Sequence, residues 1–445
     1  MSLHDGENGV LLRKFSRRKV CRVTLLFLDS RLPGIYPICT EHDMAIPLIL
    51  NFLTTPWVFL VWTTFLKSFI LLNLILGLVS LTVFAERRLS AFIQDRVGPN
   101  RVGIPMTLLG GKKDIPLWGL GQMIVDPLKL LLKENFQPAS VNGFYYWLAP
   151  KLVMIPPVLV LAVLPFGSYL FGIQMTIADL NVGVLYIFAV SSLSVYGITL
   201  AGWASNSKFP FLGGIRSSSQ MISYELSMGL SIVPVFMICG SLNLNQIINW
   251  QVANGWLVFP YWSHGFSPAL LLHHPSQILP TLVADFSWQR LLLWIPLLIS
   301  FVVFLVSIFA ETNRLPFDLP EAEQELVGGY HTEYASMNFA LFFLGEYAAM
   351  IAGSGAIVAL FLGGWSCPLI PDGSQPGIPG LFWGLVNIAV FFAKVSALLI
   401  FFIWIRWTLP RFRYDQLMKL GWLGFFPIAL GNIFVTALIL AFVHH

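Results

Sequence analysis

The 445-residue chain is 56% hydrophobic and 14% aromatic, with only 11% charged residues and a formal net charge of +4. Soluble domains carry roughly 25% charged residues, so this composition excludes an ordinary soluble protein. It specifies a polytopic membrane protein.

Residues 1–57 read as an N-terminal tail and lead-in. Seven basic residues fall in 1–31 (Arg13, Lys14, Arg17, Arg18, Lys19, Arg22, Arg31), and the apolar stretch Val23–Leu28 is too short for a signal peptide or a span. Met44 opens a short lead into the first helix, so translation is expected to begin there. An intact mass of the native protein that includes 1–43 would overturn that expectation.

Residues 58–445 read as one membrane domain. Charge-poor stretches long enough to cross about 30 Å of hydrocarbon fall near 58–85, 146–167, 182–204, 219–241, 291–311, 335–363, 382–405 and 422–443. These runs are solidly Leu, Ile, Phe and Val, without the alternation of a membrane barrel. The expected fold is all-α: a helical bundle of about eight spans. Basic residues crowd the connections after spans one, three, five and seven, whereas the opposite connections hold Arg290. That bias points the basic side to the cytoplasm or matrix, which places both termini on the opposite side, whereas the same rule would keep the basic tail inside; the tail contradicts the rest of the chain.

Glu86-Arg87-Arg88 is expected to end the first span, either as a snorkelling anchor or with Arg87 holding a polar headgroup. The connection that follows, 86–144, far exceeds the usual 2–8 residues between bundle helices. Within it Gln122, Asp126, Lys129 and Lys133 repeat at i+4, i+3, i+4, while Ile124, Leu128, Leu131 and Leu132 are apolar. This is the pattern of an amphipathic helix lying at the interface. Asp126-Pro127 offers an alternative start for it. A merely solvated face fits the same spacing.

Glu225 in the fourth span and Glu346 in the sixth are costly residues, because a carboxylate in hydrocarbon is strongly disfavoured and becomes a candidate proton carrier. Lys394 and Lys151 are the candidate counter-charges. Between them comes 311–333, with six carboxylates in 23 residues: Glu311, Asp318, Glu321, Glu323, Glu325 and Glu333. Acids this close titrate as a coupled set. A helix start favoured by its dipole accounts for some of them.

An outer segment, 245–288, is aromatic-rich and holds His264, His273 and His274, which read as a plain loop rather than a metal site. Cys21, Cys39, Cys239 and Cys367 are scattered without a Cys-x-x-Cys, so no zinc or iron-sulfur site is expected. No nucleotide or flavin fingerprint occurs. Any redox cofactor is expected on partners.

The stretch Pro316-Phe-Asp-Leu-Pro-Glu-Ala-Glu-Gln-Glu-Leu-Val-Gly-Gly329 resembles the acidic-loop signature of the H-type membrane subunit (chain 1) family of NADH:quinone oxidoreductase, respiratory complex I. Gly119-Leu-Gly-Gln-Met-Ile-Val-Asp-Pro-Leu-Lys-Leu130, Glu86-Arg87-Arg88, Arg96-Val-Gly-Pro-Asn-Arg101, Ser223-Tyr224-Glu225 and Pro410-Arg-Phe-Arg-Tyr-Asp-Gln-Leu-Met418 resemble further signatures, in the family's order. The resemblance implies a quinone site at the junction with a soluble arm, and a chain of acids leading from it. It assigns Arg87, Arg96, Asp126, Phe317, Arg406, Arg411 and Arg413 to the quinone, and Glu225, Glu311, Asp318, Glu321, Glu323, Glu325 and Glu346 to a proton relay tuned by Arg314.

The implied partners are quinone, lipid and the other membrane-arm and soluble-arm subunits, which carry flavin and iron-sulfur clusters; nucleic acid is not among them. The implied place is a bacterial inner membrane, with the mitochondrial inner membrane as alternative. Two other functions fit parts of the pattern: a homologous subunit of a hydrogenase-type or other donor-linked complex, and a stand-alone proton or cation carrier. A purely structural anchor leaves the acids unexplained.

Overall fold

The computed structural model describes residues 56–103, 118–170, 173–258, 288–320, 326–367 and 378–444. The expectations placed on 1–43, on His264, His273 and His274, and on Glu321, Glu323 and Glu325 lie outside the described residues. Two units are distinguished: 1–63, of which 56–63 form the first turns of a helix, and 64–445, which contains everything discussed below.

Among the described residues, eight segments are long and apolar enough to cross a membrane, and the fold is all-α apart from one small ribbon. Helix α1 runs Pro56–Ile93, α2 Gln122–Leu132 and α3 Gly143–Leu161. A two-stranded antiparallel ribbon follows, β1 (Tyr169–Leu170) and β2 (Ile173–Gln174). Then come α4 (Gly183–Ser191), α5 (Leu193–Ala204), α6 (Lys208–Cys239) and α7 (Leu244–Asn254). The remainder is α8 (Trp288–Glu311), α9 (Ser336–Phe361), α10 (Ile378–Thr408), α11 (Tyr414–Lys419), a π-helical turn at Leu420–Phe425, and α12 (Phe426–His444).

Two departures from the expected boundaries have a packing reason. Helix α1 continues through Glu86-Arg87-Arg88 to Ile93, because Glu86 is buried rather than anchored in solvent. Helix α6 begins at Lys208, eleven residues before the expected 219, because its polar first turns bury Ser217 and Gln220 against the loop after α8. Helix α2 starts at Gln122 and holds Pro127 internally, so Asp126-Pro127 is not its start. None of the residues of α2 is buried, as an interfacial helix requires, and the Ser336 hydroxyl reaches the carbonyls of Leu130 (2.9 Å) and Lys133 (2.8 Å) at its end.

With no water in hydrocarbon, spans must satisfy their backbone internally, and they gain stability by close packing through small residues. Helix α3 lies against α5 and α9, while α5, α8 and α12 lie against α6. At the α5–α6 crossing, a Cβ on Gly202 would stand 2.5 Å from the Pro210 carbonyl oxygen. Gly202→Ala therefore separates the two helices, and we expect a loss of about 1–3 kcal/mol, read as a lower thermal midpoint of the detergent-purified protein.

Candidate functional site

Helix α8 ends in a left-handed residue, Asn313 (φ +50°), and the next amide, of Arg314, donates back to the Phe309 carbonyl. This is a Schellman-type stop, for which Asn is one of the few suitable residues besides Gly. It turns Arg314 back into the bundle, where the residue is 6% exposed. Gln220 of α6 fixes the turn by donating to the carbonyls of Ala310 (2.8 Å) and Phe317 (2.7 Å).

Arg314 sits among groups from three other helices. Its Nε lies 2.6 Å from Glu346 Oε1 of α9, and its Nη1 lies 3.7 Å from Glu86 Oε1 of α1. The guanidinium also stacks over the Tyr347 ring at 4.4 Å, and the Tyr347 hydroxyl donates to Glu86 Oε2 at 2.6 Å. Arg406 of α10 pairs with the same Glu86 oxygen, Oε1. Beside this group Arg411 Nη2 meets Asp318 Oδ2 at 3.0 Å. Three carboxylates and three guanidiniums thus form a charge-balanced set, with Arg314 buried, Arg406 half-buried and Arg411 exposed at its edge.

The loop that carries Asp318 is clamped from both sides. Phe317 stacks on Phe412 (5.6 Å between centroids) and packs against Tyr224, while the Phe412 amide donates to the Pro316 carbonyl. The Tyr224 hydroxyl donates to the Leu417 carbonyl at 2.9 Å. Burial pushes the Asp318 carboxyl up to about 6, against the pull of Arg411. Its Oδ1 is buried without a hydrogen-bond partner among the described residues.

Glu311 and Glu225 form a second group. They interact with one another, and Glu311 also meets the Ser191 side chain. Glu311, Ser191, Ser194 and Thr312 give polar corners to an otherwise apolar cavity of about 60 Å³ between α3, α4, α5, α6, α8 and α9. A water needs roughly 10–15 Å³ of such space and two or more polar partners, so this cavity has room for a few waters at its Glu311 end.

The residues expected to face quinone separate into three environments. Buried Phe317, half-buried Arg406 and exposed Arg411 join the network around Glu86 and Asp318. Arg87 and Asp126 form a partly exposed pair (2.8 Å) that ties α1 to α2, with Gln122 donating to Asp126. Arg96 is exposed and bonds to Gln94, and Arg413 is exposed at the start of α11.

The proposed counter-charges are not counter-charges. Lys394 donates to three backbone carbonyls, of Leu362, Gly364 and Ser366, at 2.6–2.9 Å, and lies over the Trp256 ring. Lys151 is exposed. The partner of Glu346 is Arg314, 32 positions away in sequence. Glu86 is the residue that sequence reasoning misplaced: followed by two arginines, it looks like a surface anchor.

The family model described as NADH dehydrogenase matches residues 66–437. The H subunit of the Salinibacter ruber NADH-quinone oxidoreductase is 44% identical over 382 residues, covering 85% of this chain and 96% of that protein. The second H subunit of the Geobacter sulfurreducens NADH-quinone oxidoreductase is 43% identical over 381 residues (85% and 96%), and NADH-quinone oxidoreductase subunit 8 from Rhodothermus marinus is 43% identical over 382 residues (85% and 97%). With eight apolar helices and this likeness along most of its length, the chain is a multi-pass membrane protein that belongs to the NADH dehydrogenase family, alongside the H subunits of NADH-quinone oxidoreductase.

Proposed function

We propose that this chain, through a single membrane domain spanning 58–445, forms much of the quinone-binding site of a proton-translocating NADH:quinone oxidoreductase and couples quinone reduction to proton movement. The observation that carries this reading is the charge-balanced network of Glu86, Arg314, Glu346, Arg406, Asp318 and Arg411. Buried ion sets of this kind respond strongly to one added or lost charge, because each partner is stabilised chiefly by the others.

In this reading, two electrons from an iron-sulfur cluster of a partner subunit and two protons convert quinone to quinol. Phe317, Arg406 and Arg411, with Arg87, Arg96, Asp126 and Arg413 toward the entrance, hold the quinone and meet the negative charge that develops on its oxygens. The protons taken up there unbalance the network. Asp318, Glu321, Glu323, Glu325, Glu346, Glu311 and Glu225 relay the change into the bundle, and Arg314 sets which acid holds the proton. Flavin and iron-sulfur clusters reside on the partner subunits, and the setting is a bacterial inner membrane.

Two measurements test it. The chain, tagged in its own membranes and purified in mild detergent, should come with a large particle that reduces quinone with NADH and moves protons after reconstitution. An isolated chain that moves ions without NADH would make it a carrier instead. Glu323→Gln should lower quinone turnover and pumping together while leaving assembly intact, since the isostere removes only the exchangeable proton. Unchanged turnover and stoichiometry would remove Glu323 from the relay.

A further inference from the structure

Three lysines lie well inside the spans, and two are fully satisfied within the chain. Lys67 donates to the carbonyls of Gln174 and Thr176, and Lys394 to three carbonyls of the turn after α9. The third, Lys151, makes no hydrogen bond or ion pair among the described residues. It is eight residues from Gly143 and ten from Leu161, about 12 Å and 15 Å along the helix, near the middle of the span.

Its surroundings make that position unusual. Phe144, Trp147, Ile155 and Leu159 are exposed along the same stripe of α3, so Lys151 is the one charge on an otherwise apolar outer face. A lysine at such depth ordinarily runs along the helix toward its nearer end, the direction in which the Cα–Cβ bond already leans. Trp147 stands one turn along that route with its indole N–H on Gln137, and Lys151 makes no cation–π contact with it. Lys151 is thus exposed on that apolar face, about midway along the span, without a partner among the described residues. Ionisable groups at that depth are paired in assembled membrane proteins.

We propose that the Phe144–Leu159 stripe of α3 is an interface with a transmembrane helix of another subunit, and that this helix places an Asp or Glu against Lys151. Charge complementarity selects the occupant: an apolar helix leaves the lysine unpaired, and an anionic lipid headgroup lies at the interface, beyond Trp147. The inference rests on the chain being one subunit of a larger membrane complex, as proposed above.

A photo-crosslinking residue at Ile155, one turn further along the stripe, tests this in the native complex with Lys151 intact. The expected product joins α3 to another membrane subunit within about two helical turns of a carboxylate in an apolar span. Lys151→Glu should then lower recovery of intact complex by about tenfold or more, because two carboxylates now meet in a dehydrated interface, and converting the partner's acid to Lys should restore it. Crosslinks to lipid alone, or normal recovery of the Lys151→Glu complex, in a particle that still oxidises NADH, would overturn this inference only. A chain purified without any other membrane polypeptide would overturn it together with the proposed function.

Discussion

Arg314→Met is expected to be the most damaging single substitution among the described residues. The methionine fills most of the same space, but it removes the group that lies between Glu86 and Glu346 and leaves Glu346 facing an apolar side chain. Breaking a buried pair by deleting one partner costs about 3–5 kcal/mol, because the surviving charge stays desolvated. The expected result is a marked drop in the thermal midpoint of the detergent-purified protein at neutral pH. Arg314→Lys keeps the charge and loses the planar group that meets both acids and stacks on Tyr347; it should fall between wild type and Arg314→Met. A full-length particle in which Arg314→Met matches wild type in midpoint and quinone turnover would mean that the network neither holds the fold nor tunes the relay.

The same residues show which parts of the molecule were legible in the sequence. Hydrophobic runs of some twenty residues placed all eight spans, since bilayer thickness constrains length directly. The stripe through Gln122, Asp126 and Lys129 revealed an interfacial helix, because a surface element keeps its period in the sequence. Pairings between spans leave no such trace. Glu86 and Arg406 are 320 positions apart, and only the packing of α1 against the rest of the bundle shows that Glu86 faces inward. Lys394 failed as a counter-charge for a related reason: the carbonyls exposed at the end of α9, where Gly363 and Gly364 adopt positive φ, are acceptors that a side-chain inventory overlooks. The early start of α6 was hidden by Ser217, Ser218, Ser219 and Gln220, which look like a polar lead until the loop that Ser217 and Gln220 bind is in place.

Asp318 gives the second large effect, with an unexpected sign. Its pKa rises from 3.8 to about 6, chiefly by burial, despite the Arg411 pair. A group whose acid is held more tightly in the folded state binds more protons folded than unfolded, so stability falls as pH rises. The loss begins near pH 4, where the unfolded carboxyl ionises, and is complete above about pH 6, where the folded one does. At roughly 1.4 kcal/mol per unit, the charged form at pH 8 carries a penalty on the order of 2–3 kcal/mol. Asp318→Asn imitates the neutral acid and escapes that penalty. We expect the variant to match wild type near pH 4 and to exceed it in thermal midpoint at pH 8, with the gap opening across pH 4–6. If Asp318 also exchanges protons with the quinone site, the same variant loses turnover while gaining stability, the opposition expected where a costly buried charge is kept for function. A variant less stable than wild type at pH 8 would show instead that the Arg411 pair outweighs burial, and Asp318 would then be a structural clamp for the loop rather than a member of the relay.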